Sequence, residues 1–175
     1  MSAVLLNSER LIYEPIGVSH LSKRYLGWMN DKEVTKFLDA GGDYTMKKLK
    51  DFLKKNQEKK ILFWAIKIKK TGLHIGNIKI DPIEKISKIG YYGIMIGDRE
   101  EWCKGYAFEA SETIIDFCFK KLLLSEIILG VQKKNIYALR LYLKLGFKIY
   151  ERSEHSKIYK DVPEYSFMLG LKNDR

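Results

Sequence analysis

The order in which two hydrophobic periods occur along the chain limits its possible folds more than any other feature. Three runs with strand-like alternation follow one another: "ILFWAIKIK" (61–69), "LHIGNIKID" (73–81) and "GYYGIMIGD" (90–98). The first two are separated by a short "KTG" turn, the second and third by a polar stretch from Pro82 to Lys88. A helical period then starts near Tyr106, followed by a strand "EIILGV" (126–131), a helix from Asn135 to Leu145, and two strand-like runs, "FKIYER" (147–152) and "YSFMLGL" (165–171). Ahead of these lie a strand in "ERLIYEPI" and two short helices in "HLSKRYLGWMN" and "DKEVTKFL", the second opening at an N-cap, Asp31. A longer lysine-rich helix, "YTMKKLKDFLKKNQEKK", has Thr45 as its cap and Met46, Leu49, Phe52 and Leu53 on one face. Strands first, then β-α-β-α-β-β, calls for a mixed α/β sheet with helices on its faces, not a doubly wound parallel sheet.

A chain of 175 residues with 46% hydrophobic composition can bury one substantial core, so residues 1–175 are expected to form a single domain. The amino terminus is interrupted by polar and charged residues too early for a secretory signal, and no apolar run approaches the ~20 residues of a membrane span. That absence of an apolar run leaves no membrane role expected, and Cys103 and Cys118, which do not make a disulfide framework, point to a reducing cytoplasm. The formal net charge of +10 attracts anions, among them nucleic acid, nucleotide-like cofactors and phosphorylated substrates.

Two segments carry chemistry. "EWCKGYAFEA", Glu101 to Ala110, joins the carboxyl end of a strand to the amino end of a helix, where unpaired N–H groups and the helix dipole favour anions. It lacks both the GK[ST] of the nucleotide P-loop and G-x-G-x-x-G. In their place it offers Gly105 for close backbone approach, Ala107 to keep the first turn free of bulk, and the charge of Lys104. The following helix has a core-facing stripe of Ala107, Ala110, Ser111, Ile114, Phe117 and Cys118. The second segment, "VQKKNIYALRLYLKLGF" (131–147), sets Tyr142 seven residues after Asn135, nearly two turns, and closes on Gly146 in C-cap position.

Together, "GYYGIMIGDREEWCKGYAFEA" and the pattern Val131, Asn135, Ala138, Leu141-Tyr142, Leu145-Gly146-Phe147 resemble the Gcn5-related N-acetyltransferases (GNAT superfamily). The resemblance is closest to the branch of ribosomal-protein N-terminal acetyltransferases and spermidine acetyltransferases. "YLGWMNDKEVTKFL" and "HIGNIKID" extend it over nearly the whole chain. It implies a mostly antiparallel, twisted central sheet with a splayed, bulged strand and flanking helices. It also implies acetyl-CoA as co-substrate. Trp102, Cys103, Lys104, Gly105, Tyr106 and Ala107 match the pyrophosphate-binding signature, with amides from Cys103 to Ala107 facing the coenzyme. Ile94, Met95 and Ile96 match the strand that pairs with the pantetheine arm and holds the acetyl carbonyl, Asn135 a cofactor-contacting asparagine, and Tyr142 the general acid. Trp28, Asn30, Asp31, Asn77 and Lys79 lie where the branch builds its acceptor pocket, and His74 stands near it as a candidate base, with Asp31, Asp81 and Glu84 as alternatives. Cys103 stands where the branch commonly has glycine; a cysteine there is expected at negative φ.

The chemistry suits these parts. Acetyl transfer by direct attack of a primary amine needs a polarised thioester carbonyl, an uncharged amine and a proton for the leaving thiolate. It needs no nucleophilic side chain, and no His/Cys/Asp cluster has metal-ligand spacing, so no metal is expected. For the acceptor, the positive net charge argues against a polyamine and for a nucleotide-linked amino sugar or another small amine. The N-terminus of a ribosomal protein is the alternative. A basic nucleic-acid-binding module and a non-catalytic acetyl-CoA-binding protein are rival readings. The lysines do not alternate with aromatics on a sheet face, so no direct nucleic-acid function is expected, and the protein is expected to be a monomer or homodimer.

Overall fold

The computed structural model describes residues 2–38, 41–151 and 162–173. It is a mixed α/β structure whose eight strands hydrogen-bond in the order β1-β2-β3-β4-β5-β6-β8-β7, flanked by helices. The strands are β1 (Leu6–Asn7), β2 (Leu11–Pro15), β3 (Leu62–Ile68), β4 (His74–Glu84), β5 (Ile89–Ile96), β6 (Glu126–Gln132), β7 (Lys148–Ile149) and β8 (Ser166–Lys172). The helices are α1 (Lys23–Asn30), α2 (Lys32–Thr35), α3 (Met46–Lys59), α4 (Tyr106–Lys120) and α5 (Ile136–Lys144). The chain divides into two compact units, one of residues 1–81 with 93–113, the other of 82–92 with 114–175.

In the first unit, β3 pairs antiparallel with β2 and β4, and the run Leu62–Ile66 is wholly buried, as an interior strand requires. α1 and α3 cover Phe63 and Ala65 with Tyr25, Trp28, Met29, Leu49 and Leu53. Local chemistry sets the ends of both helices. Ser22 Oγ accepts from Tyr25 N–H at 3.1 Å, which starts α1 after a one-turn 3₁₀ helix at Val18–His20; the sequence had suggested one helix running on from His20. Thr45 caps α3 as expected, accepting from Lys48 N–H at 3.2 Å. β4 continues through Pro82 to Glu84, a stretch read from the sequence as a connection. Its pairing with β3 ends at Ile80, so the missing N–H of Pro82 breaks no bond on that side.

In the second unit, β5 pairs parallel with β6 over Ile89–Tyr91, while β6 pairs antiparallel with β8 along its whole length. β7 is reduced to Lys148–Ile149 on the outer side of β8, and Arg152 of the expected strand lies outside the described residues. Gly146, at φ +92°, follows the end of α5, where only glycine meets the left-handed conformation without strain. In the helical stripe, Ala110, Ser111, Ile114 and Cys118 are buried, joined by Ile115 and Phe119; Ala107 and Phe117 are half-buried. No described helix is long and apolar enough to cross a membrane.

Candidate active site

The loop between β5 and α4 is shaped by bonds to its own neighbourhood. Ile75 O accepts from both Gly97 N–H (2.9 Å) and Asp98 N–H (3.1 Å), two residues facing one, which is a β-bulge just past the end of β5. A Cβ on Gly76 would collide with the Met95 carbonyl and lie 2.9 Å from Ile96 Cα, so the absence of a side chain lets β4 close on β5 there. Met95 therefore turns its backbone toward β4, and by alternation Ile94 and Ile96 turn theirs away. The indole of Trp102 folds back and donates to Ile96 O at 2.7 Å.

Beyond Trp102 the backbone coils tightly. Cys103 sits at φ +61° and Gly105 at φ +83°. The negative φ expected for Cys103 is thus wrong: tertiary contacts on either side impose a left-handed conformation that the side chain disfavours. These two left-handed residues, one on either side of Lys104, turn the backbone sharply ahead of α4, a shape in which neighbouring amides can face one anion. The N–H groups of Cys103, Lys104, Gly105, Tyr106 and Ala107 donate to no protein acceptor among the described residues, and Gly105 O takes the first helical bond, from Glu109 N–H at 3.1 Å. Five such donors at the mouth of a four-turn helix can cradle a diphosphate. The Cys103 thiol is exposed and has no assigned task here, whereas Cys118 is a core thiol that burial pushes up to about 12. Cys103→Gly is expected to stabilise the protein by up to about 1 kcal/mol, the relief of left-handed strain less the greater unfolded-state freedom of glycine, with turnover close to wild type. Thermal melts and steady-state rates would check this; a collapse in rate would reveal a chemical role for the thiol.

The sequence did not reveal what braces this loop. Glu109, in the first turns of α4, accepts from Ser8 Oγ (2.6 Å), Arg10 N–H (2.7 Å) and Arg10 Nε (2.6 Å). Burial works to raise this carboxyl, but the bonds from Ser8 and Arg10 outweigh it and hold it below the usual carboxylate range. Arg10 also donates from Nη1 to Lys104 O at 2.9 Å and lies over the Tyr106 ring, 4.6 Å from its centre.

On the other side of the bulge is a recess of about 300 Å³ between α1 and the Gly97–Glu100 turn. Trp28 forms one wall, packed so closely on Gly97 that a Cβ there would enter the indole. Arg24 pairs with Asp98, and Arg99 with Asp31 at 3.4 Å, which leaves Glu100 as the carboxylate not matched by a guanidinium in the lining. The bond from Glu33 N–H and the proximity of Arg99 keep the Asp31 carboxyl low. Of the other expected acceptor residues, Asn30 is engaged at both ends of its amide on the Tyr44 backbone (2.9 and 3.0 Å), and Lys79 is exposed with its stem along Gly93. His74 Nε2 lies 3.0 Å from both Gly76 O and Asn77 Oδ1, so Nε2 carries the proton and donates to them. Its ring packs edge-on against Trp28, Tyr25 and His20, and burial pushes its pKa down to about 4. His74 is therefore a neutral ring with Nδ1 as its basic atom, and a weak base. Asn77 is buried, 4% exposed.

Asn135 and Tyr142 belong to the second unit. Asn135 is the cap of α5, not a helical residue; its Oδ1 accepts from Ala138 N–H at 3.2 Å, so the shared-face geometry expected from the seven-residue spacing does not hold for it. Tyr142, 7% exposed, is packed by Tyr92 and Phe147 at ring separations of 5.8 and 5.9 Å, and burial raises its phenol.

Residues 10–148 match the family model described as an acetyltransferase (GNAT) domain. The chain is 26% identical over 125 residues to an uncharacterized N-acetyltransferase p20 of Bacillus licheniformis, covering 69% of this chain and 70% of that one. Its fold is shared by a GNAT-family acetyltransferase from Bacillus anthracis (TM-score 0.81, 18% identity, 98% of this chain and 100% of that one). It is also shared by a spermidine N-acetyltransferase from Vibrio cholerae in complex with CoA and spermine (0.79, 18%, 95% and 97%). A ribosomal-protein-S5-alanine acetyltransferase from Vibrio fischeri is similar too (0.73, 16%, 98% and 97%).

Proposed function

The chain belongs to the GNAT acetyltransferases and is an acetyl-CoA-dependent N-acetyltransferase; from that premise we propose that its acceptor is the primary amine of a small cationic molecule held in the recess beside Trp28. The reading takes residues 1–175 as one acetyltransferase domain. The observation that carries it is the sign of the lining. Asp31, Asp98 and Glu100 face Arg24 and Arg99, so the recess is acidic by one charge although the chain carries +10. An ammonium group is attracted there, whereas the phosphates of a sugar nucleotide are repelled. Net charge alone had favoured the sugar nucleotide, but a sum over the surface does not describe one cleft.

In this reading the amides of Cys103–Ala107 hold the pyrophosphate, and the outward-facing backbone of Ile94, with the N–H of Ile96 whose carbonyl Trp102 occupies, pairs with the pantetheine arm. The free amine attacks the thioester carbon; a C–N bond forms, the C–S bond breaks, and the surplus amine proton passes to water or a nearby base. Tyr142 donates a hydrogen bond to the departing sulfur, lowering its charge, and the thiolate takes its proton from solvent. His74, with its low pKa, serves better to orient Asn77 than to take that proton.

The test is a panel of polyamines, monoamines, amino sugars, sugar nucleotides and N-terminal peptides, read by free-thiol release and product mass. Small cationic amines are expected to lead by at least about tenfold in kcat/KM, with Glu100→Gln raising KM for the amine and leaving KM for acetyl-CoA alone. A sugar nucleotide or a peptide N-terminus as the best acceptor would overturn the cationic assignment.

A further inference from the structure

We propose that Arg10, at the turn between β1 and β2, is a positioning residue for acetyl-CoA, acting through the loop and not by touching the reacting atoms. The proposal rests on the reading above that the Cys103–Ala107 amides hold the pyrophosphate.

The physical link is a single peptide plane. In a trans peptide the C=O of one residue and the N–H of the next point in opposite directions. Arg10 Nη1 holds Lys104 O at 2.9 Å, so the N–H of Gly105 is directed away from Arg10. That N–H is the middle one of the five unpartnered donors. Without the bond, the Lys104–Gly105 plane would be free to rotate, because glycine at φ +83° has many alternatives.

Arg10 is itself held from several sides. Its Nε and backbone N–H both end on Glu109, which also accepts from Ser8, and Ser8 Oγ lies 2.8 Å from Tyr13 Oη. The guanidinium stacks on Tyr106, and Nη2 lies 3.3 Å from the point a Cβ on Gly105 would occupy. One planar fork thus ties the amino-terminal hairpin, the loop and the first turns of α4 together. A lysine has the charge but not the fork.

The experiment compares two donors, acetyl-CoA and S-acetyl-pantetheine, which lacks the pyrophosphate, across wild type, Arg10→Ala, Arg10→Lys and Glu109→Gln. For wild type, KM is expected to be much lower for acetyl-CoA. Arg10→Ala is expected to raise KM for acetyl-CoA about tenfold, with kcat little changed and KM for S-acetyl-pantetheine unchanged. Arg10→Lys is expected to resemble Arg10→Ala, and Glu109→Gln to fall between it and wild type. Rescue by Lys would show that charge alone matters and would overturn the brace. Equal losses with both donors, or no loss with either, would overturn it as well. If wild type used the two donors equally, the pyrophosphate cradle itself would fall, and the role of Arg10 with it. Should Arg10→Ala not fold, Arg10→Lys and Glu109→Gln carry the same comparison.

Discussion

Replacing Tyr142 with Phe is expected to lower the single-turnover rate of acetyl transfer by about 10²–10⁴-fold, the usual worth of a general acid, with little change in stability or in affinity for acetyl-CoA. The ring is the packing element: it meets Tyr92 and Phe147 at about van der Waals range and is buried, and Phe preserves all of that. Only the hydroxyl is lost. Burial raises the phenol, so Tyr142 keeps its proton throughout the neutral range, as the proposed general acid must. In the role proposed for Tyr142 the same shift makes full transfer to a thiolate, whose reference pKa is ~8.5, an uphill step, and the hydroxyl would work chiefly as a donor that lowers the charge on sulfur as the C–S bond breaks. Two measurements separate this role from a structural one. Steady-state kcat would understate the effect if product release limits the wild type, so single-turnover rates are the proper comparison. A thioester with a more acidic leaving thiol should recover much of the loss in the Phe variant, because it needs less help. A Phe variant with a wild-type single-turnover rate would reduce Tyr142 to a core residue.

Both segments proposed to carry the chemistry were legible because their requirements are local. A glycine just past a helix end leaves its mark within a few positions, and Gly146 is where that mark predicts; the glycine of the strand-to-helix loop, Gly105, is equally local, whereas Asn135 caps α5 instead of standing inside it as the spacing suggested. The order of periods likewise fixed the mixed sheet, since each strand and helix reports its own burial. What could not be read depends on distant partners. Arg10 and Glu109 are 99 residues apart, and nothing in "SERL" or "AFEA" announces that they meet. The recess draws on 24–31 and 97–100, and the pairing of its charges is invisible until both segments are in place. Cys103 shows the same principle from the other side. Local preference puts a cysteine at negative φ, but the Trp102 bond to Ile96 and the Arg10 bond to Lys104 bracket it and set its conformation.

Substitution of Gly105 is expected to have the second-largest effect, and the order of the variants shows why. At φ +83° a side chain meets strain regardless of space, and the space falls short by only a few tenths of an ångström, a Cβ lying 3.3 Å from Arg10 Nη2. Backbone conformation, not size, should therefore decide the outcome. Asparagine visits the left-handed region with little penalty, alanine with more, and a β-branched residue with the most. Strain of about 1–3 kcal/mol corresponds to roughly 5- to 150-fold in acetyl-CoA affinity if the loop must leave its cradle shape to relieve it. Isothermal calorimetry is expected to show losses increasing from Asn to Ala to Val, with Val near 100-fold, although Asn is larger than Ala. Losses that follow side-chain volume would mean that Gly105 provides room for the ligand and not a backbone shape. A folded Gly105→Val protein with undiminished affinity would show that the pyrophosphate is held elsewhere, because five amides cannot keep one concavity while the residue at its centre abandons the conformation that forms it.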